Sequence, residues 1–141
     1  MRSRTSAVAA VIVAGGLMLA TRSSTAAATC PAGLAGRTQI ELYFGRNIGE
    51  TLAVDADAWA RFVDEEITPR FPDGLSVIDL DGQWKDRASG RIVREPGKKV
   101  VIIVDSFEIA RERVAAIIDR YKSRHQQQAV LVTARDICAA D

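Results

Sequence analysis

The periodic segments of this chain predict an α+β domain: a four-stranded antiparallel sheet with two helices on one face. Three observations carry that expectation. Thr38 to Phe44, TQIELYF, alternates, with Ile40, Leu42 and Phe44 on one side and Gln39, Glu41 and Tyr43 on the other, the period of a half-buried strand. Two stretches carry apolar residues at helical spacing: Trp59, Phe62, Val63 and Ile67, then Ala110, Val114, Ile117, Ile118 and Tyr121. Short apolar runs bounded by turn residues supply the remaining strands. The resulting order, strand, helix, strand, strand, helix, strand, is the split βαβ arrangement of ferredoxin-like domains. Right-handed crossovers then give the sheet order 4-1-3-2.

The elements follow in chain order. After the first strand, Gly45 to Gly49 reads as a loop, and Asp55 or Asp57 can cap the first helix. Pro69 and the PDG at 72–74 end it. Leu75 to Leu80 is the second strand, and the polar turn Asp86 to Gly90 leads to a third. That strand begins at Ile92, is interrupted by Arg94-Glu95-Pro96-Gly97-Lys98, and resumes as VVIIV at 100–104. Asp105 or Ser106 starts the second helix, where Glu108 completes a capping-box spacing with Asp105. Arg120, Lys122 and Arg124 suit the negative end of its dipole. Ala129 to Thr133 is the fourth strand.

The beginning of the chain reads differently. Arg2 and Arg4, the apolar run Ala7 to Ala20 and the small residues Ala26-Ala27-Ala28 have the pattern of a secretory signal peptide over residues 1–28. The apolar run falls short of the ~20 residues that span a bilayer, so no membrane span is expected after cleavage. Residues 29–37 then form a lead-in and 38–141 a single domain. The whole chain carries a formal charge of +1; without Arg2, Arg4 and Arg22 its 19 cations become 16 against 18 acids, near −2. Nothing in that balance favours nucleic acid. Cys30 and Cys138, at the two ends of an exported domain, are disulfide candidates. A lipid anchor at Cys30 is the rival reading, for which the preceding Thr29 is a poor residue.

Apolar runs that do not alternate, VVIIV and AVLV, want burial on both sides, whereas the helices cover one. The open face is therefore expected to be covered by a second copy of the chain, a small molecule or a partner protein.

The one familiar catalytic pattern is Asp79-Leu80-Asp81-Gly82, which matches the nucleophile segment of haloacid dehalogenase-like phosphatases. That chemistry needs further carboxylates for Mg²⁺ and a parallel sheet, and neither is offered here. Gln83 also departs from the pattern. An EF-hand fails because Val77 and Ala88 fall at ligand positions. Gly82 is instead expected at a bulge or close approach, with both acids solvated. His125, the only histidine, reads as a solvated residue at a helix end, and one His with two bonded Cys is too few for zinc. No metal or cofactor is expected. The unusual polar residues are Glu41, Tyr43, Arg70, Gln83, Trp84, Glu95 and Lys98, which could converge at one end of the sheet as a pocket for a small anionic or sugar-like ligand, or serve carboxylate-based catalysis.

Taken as a set, ELYFG at 41–45, TPRFPDGLSV at 68–77, GQW at 82–84 and IVREPGK at 92–98 resemble a family of exported bacterial proteins classified as a domain of unknown function. The resemblance implies a single-domain envelope or secreted protein of a bacterium. It supplies no reaction and no catalytic residue. The expected function is thus a non-catalytic binding or structural module, with a small carboxylate enzyme as the alternative.

Overall fold

The computed structural model describes residues 29–86 and 89–140; the signal-peptide reading of residues 1–28 lies outside the described residues. In chain order the elements are β1 (Ala35–Gly45), the short strands β2 (Asn47–Ile48) and β3 (Thr51–Leu52), α1 (Ala56–Phe62), β4 (Ser76–Lys85), β5 (Ile92–Val104), α2 (Phe107–His125) and β6 (Leu131–Ala139). The four long strands form one antiparallel sheet, hydrogen-bonded in the order β4-β5-β1-β6.

Alternation in β1 does what its sequence requires. Thr38, Ile40, Leu42 and Phe44 are buried while Gln39, Glu41 and Tyr43 are only half-buried. The buried set joins Val100 and Ile102 of β5, Trp59 and Phe62 of α1, and Ala110, Val114, Ile117 and Tyr121 of α2 in one core. Both helices therefore lie on one side of the sheet. At the centre of that core Phe44, Phe62 and Tyr121 meet edge to face, with centroids 4.7 Å apart for Phe44–Tyr121 and 4.9 Å for Phe62–Tyr121.

The first helix departs from a single α-helical stripe. Beyond Phe62 the chain makes a π turn over Val63–Ile67 and a 3₁₀ turn over Thr68–Arg70. Phe62 and Ile67 are five apart, and a turn with i→i+5 bonds brings both into the core, where both are fully buried. Asp55 is the N-cap, its carboxylate accepting the Ala58 N–H at 2.8 Å. In α2 the cap is Ser106, whose hydroxyl accepts the Ile109 N–H, and no capping box forms: Glu108 pairs with Arg111.

Two strands are longer and more regular than their glycine and proline suggest. β4 runs through Gly82 in unbroken register with β5, from Ser76↔Val101 to Lys85↔Ile92, so Gly82 is not a bulge. β5 likewise passes through Arg94–Lys98 without interruption. Pairing to β1 stops at Gly45↔Gly97, so no strand of the sheet flanks Pro96 on that side and its missing N–H breaks no ladder there. Residues 81–85 and 92–96 thus project beyond β1 as a two-stranded arm. β6 starts at Leu131, two residues later than expected, and continues to Ala139 because β1 offers a partner along its whole length, ending at Ala35↔Ala139.

That pairing brings the ends of the domain together, and Cys30 is bonded to Cys138 with Cα atoms 5.6 Å apart across 108 residues. Among the described residues no helix is long and apolar enough to cross a membrane. A crosslink closing a loop of about 100 residues stabilises by up to ~4.7 kcal/mol in the chain-entropy model. Urea unfolding of the Cys30→Ser/Cys138→Ser variant is accordingly expected to show a loss of about 2–4 kcal/mol against the oxidised protein.

Candidate functional site

The face of the sheet away from the helices holds two carboxylate centres, each organised by residues of the same face. The first is Glu41, in the middle of β1. Its Oε1 accepts the Gln39 amide at 2.9 Å and the Lys99 ammonium at 3.4 Å; its Oε2 accepts the Tyr43 hydroxyl at 2.6 Å and the Thr133 hydroxyl at 3.4 Å. Strand pairing places them so: Glu41 lies opposite Val101 and Thr133, and Lys99 opposite Tyr43. Lys99 also stands over the Tyr43 ring, 5.6 Å from its centroid.

These contacts set the ionisation of the pair. The Tyr43 hydroxyl above all, helped by Lys99 and Gln39, holds the Glu41 carboxyl below its ordinary value of 4.5, against an opposing effect of burial second in size to the Tyr43 bond. The same hydrogen bond pushes Tyr43 above 10, because ionising the phenol would remove the donor and set two anions together. Glu41 is therefore a weak base, and Tyr43 a weak acid, at neutral pH.

The second centre is Glu95, on the arm. Its carboxylate accepts the Trp84 indole N–H at 3.1 Å and the Asn47 backbone N–H at 3.3 Å. It lies directly over Gly45, where an added Cβ would come within 2.9 Å of both carboxylate oxygens. Gly97 beside it makes room in the same way for Leu80, whose Cδ1 would be 2.6 Å from such a Cβ. Trp84 closes no core; it is 46 % exposed on the open face, and the core tryptophan is Trp59.

Of the expected pocket residues, Glu41, Tyr43, Trp84 and Glu95 share the open face. Gln83 lies one residue out of phase, opposite Arg94, and with Asp81, Pro96 and Glu95 lines an open groove of about 470 Å³ on the arm. Arg70 does not join them. It sits at the end of the 3₁₀ turn in the helical layer, donating to the Glu66 carbonyl at 2.6 Å and to its carboxylate at 2.9 Å. Lys98 faces the helix side and pairs with Asp79, whose side chain stays 80 % exposed. Both departures have one cause: the sheet separates its two faces, and neither the helical layer nor an even-numbered residue of this stretch of β5 reaches the open one.

His125 also differs from expectation. It is packed against Phe62 and Tyr121, its Nε2 is buried without a hydrogen-bond partner, and burial lowers its pKa. Gln39, Asn47, Lys99 and Thr133 complete the two centres, and the sequence pattern does not single them out. Gln39 was readable as the same-face neighbour of Glu41; Lys99 and Thr133 needed the strand register. Among the described residues no group of three His, Cys, Asp or Glu could hold a metal ion.

Residues 39–140 match a family described as a protein of unknown function, DUF3574, and the chain belongs to that family. Among curated proteins none matches. Of solved structures, a phage SAM lyase in complex with S-methyl-5′-thioadenosine is similar with a TM-score of 0.57 and 17 % identity, over 81 % of this chain and 95 % of that one. Its apo state gives 0.53 and 17 % over 82 % and 96 %. CutA1 from Oryza sativa gives 0.50 and 10 % over 78 % and 87 %. At these identities the likeness is one of fold.

The direction of each shift gives a stability expectation. Glu41, depressed in the folded state, contributes stability that is present above pH 4.5 and lost as pH falls through its lowered folded value; Tyr43, raised, contributes stability present below pH 10 and lost as pH rises through its folded value. Carboxyl carbon NMR is expected to find Glu41 titrating below 4.5, and closer to 4.5 in Tyr43→Phe. An unchanged midpoint in that variant would remove Tyr43 as the main cause.

Proposed function

We propose that this DUF3574 member is an exported, non-catalytic binding module of the bacterial envelope, and that it binds through the open face of its sheet. One observation carries the proposal. Each Glu41 oxygen already accepts two hydrogen bonds, so the central carboxylate is an ordering element of the face and not a base waiting for a substrate. Around this fixed polar centre stand exposed apolar side chains: Leu131, opposite Tyr43, is 61 % exposed, Ile103, opposite Gln39, 50 %, and Ile78, opposite Lys99, 45 %. A pre-ordered polar patch with an apolar rim fits recognition. The internal disulfide is consistent with an oxidising compartment, supports the export reading and leaves no thiol at Cys30 for a lipid.

A second reading, carboxylate-based catalysis, is favoured only by Glu95, which has two hydrogen-bond donors and an exposed Trp84 beside it. The fold shared with phage SAM lyase supplies the probe for both readings. We expect SAM to remain unconsumed on incubation with the protein. A search for bound small anions, sugars and S-methyl-5′-thioadenosine by amide NMR is expected to move resonances of Glu41, Tyr43, Lys99 and Trp84 if the open face binds them. Leu131→Lys is expected to weaken whatever binding is found by about tenfold, through loss of one exposed apolar contact and an added charge. Turnover of SAM that disappears in Glu95→Gln would overturn the non-catalytic reading.

A further inference from the structure

The sheet has two outer strands, β4 and β6, and β4 is the more exposed: all of its residues but Leu80 and Gly82 are exposed. Among the described residues its outer flank carries no strand. A ten-residue edge of this kind presents a row of backbone donors and acceptors to any strand that can pair with it.

Period-two geometry restricts how β4 could pair with itself. In a two-fold antiparallel pair, residues opposite each other must have the same orientation toward the partner, so only residues of equal parity face one another. With the two-fold axis at Gly82, Asp79 faces Lys85 of the second copy, Leu80 faces its Trp84, and Asp81 faces its Gln83. Each pair occurs twice by symmetry. The register joins opposite charges, an apolar residue and an aromatic, and an acceptor with an amide. Centring on Asp79 or Asp81 sets an aspartate against its own copy, and centring on Leu80 sets Asp79 against Asp81. The β6 edge offers no comparable match, because its only charges, Arg135 and Asp136, are adjacent and hence of opposite parity.

From this charge complementarity we propose that β4 is a docking edge for a second copy of this chain, pairing antiparallel about Gly82 to make an eight-stranded sheet across the dimer. The second copy contributes its Trp84 beside Leu80 on the open face, so the apolar rim of that face is completed by the partner. The proposal stands apart from the binding reading: a monomeric variant can still bind at Glu41.

The test is a charge swap followed by sedimentation or light scattering from micromolar to millimolar concentration. The wild-type chain is expected to dimerise, with Trp84 fluorescence shifting to the blue. Lys85→Glu, which sets a second carboxylate against Asp79, and Asp79→Lys, which sets two lysines together, are each expected to weaken self-association by about tenfold or more. Mixing the two variants is expected to restore dimers, because both cross-strand pairs are then of opposite sign. Failure of mixing to restore association overturns the proposal, as does a wild-type chain that stays monomeric at millimolar concentration. A dimer insensitive to Lys85→Glu and lost in Ile103→Lys overturns it too, and assigns the contact to the open face. Should Asp79→Lys fail to fold for want of its pair with Lys98, an undiminished dimer in Lys85→Glu alone is still decisive against the edge.

Discussion

The seat of α2 on the sheet and the position of Glu95 both depend on Gly45, where a buried tyrosine meets the end of the central strand. The Tyr121 hydroxyl donates to the Gly45 carbonyl at 2.8 Å, and its ring lies in the aromatic cluster with Phe44, Trp59 and Phe62. Leaving that hydroxyl unpaired in an apolar core would cost on the order of 1–3 kcal/mol, so the strand end is held where the helix needs it. Burial also pushes the Tyr121 pKa well above its ordinary value. On the opposite side of the same residue, the missing Cβ is the space into which the Glu95 carboxylate fits. One glycine thus fixes α2 against the sheet from one side and the arm against the loop from the other. Gln127 extends the arrangement, donating its amide to the Asn47 carbonyl at 2.9 Å, one residue beyond the loop's Arg46.

The two carboxylate centres differ in kind. Glu41 is locked by strand neighbours from β1, β5 and β6, so its surroundings change only if the sheet does. Glu95 is held by one side chain of the arm and the backbone N–H of Asn47 in β2, so its position reports how the arm and the β2–β3 hairpin sit together. The loop is tied in its own right, with Arg46 donating from Nε to the Val54 carbonyl at 2.6 Å. Residues at the second centre are therefore the ones whose geometry can answer to a ligand or partner without disturbing the core.

Much of the fold was legible because alternation and helical spacing are local signals. Ile40, Leu42 and Phe44 declared the buried face of β1, and the antiparallel pairing of β1 with β6 accounts for the meeting of Cys30 and Cys138. What stayed hidden depended on neighbours. Gly82 and Pro96 usually punctuate strands, yet Gly82 is tolerated on the edge strand β4 and Pro96 where β5 has run past β1. The π turn was invisible because the stripe looks α-helical unless Ile67 is required to lie in the core with Phe62. Arg70 was a failure of a different sort. With both helices already expected on one face and Glu41 on the other, a residue at the end of the first helix had no route to Glu41, and the layering alone excludes it. His125 looked like a solvated helix end by position, but Phe62 and Tyr121 lie close enough to cover it.

The bond between Cys30 and Cys138 makes the described domain a ring in all but peptide linkage, with its seam at the β1–β6 end of the sheet. A ring can be opened elsewhere. The polar turn between β4 and β5, at the far tip of the arm, joins strands that already pair along the whole of β4, and its Ser89 and Gly90 are exposed. Circular permutants with new ends there and a short peptide in place of the sulfur bridge would keep every core contact, and would turn the order of synthesis of the strands into an experimental variable.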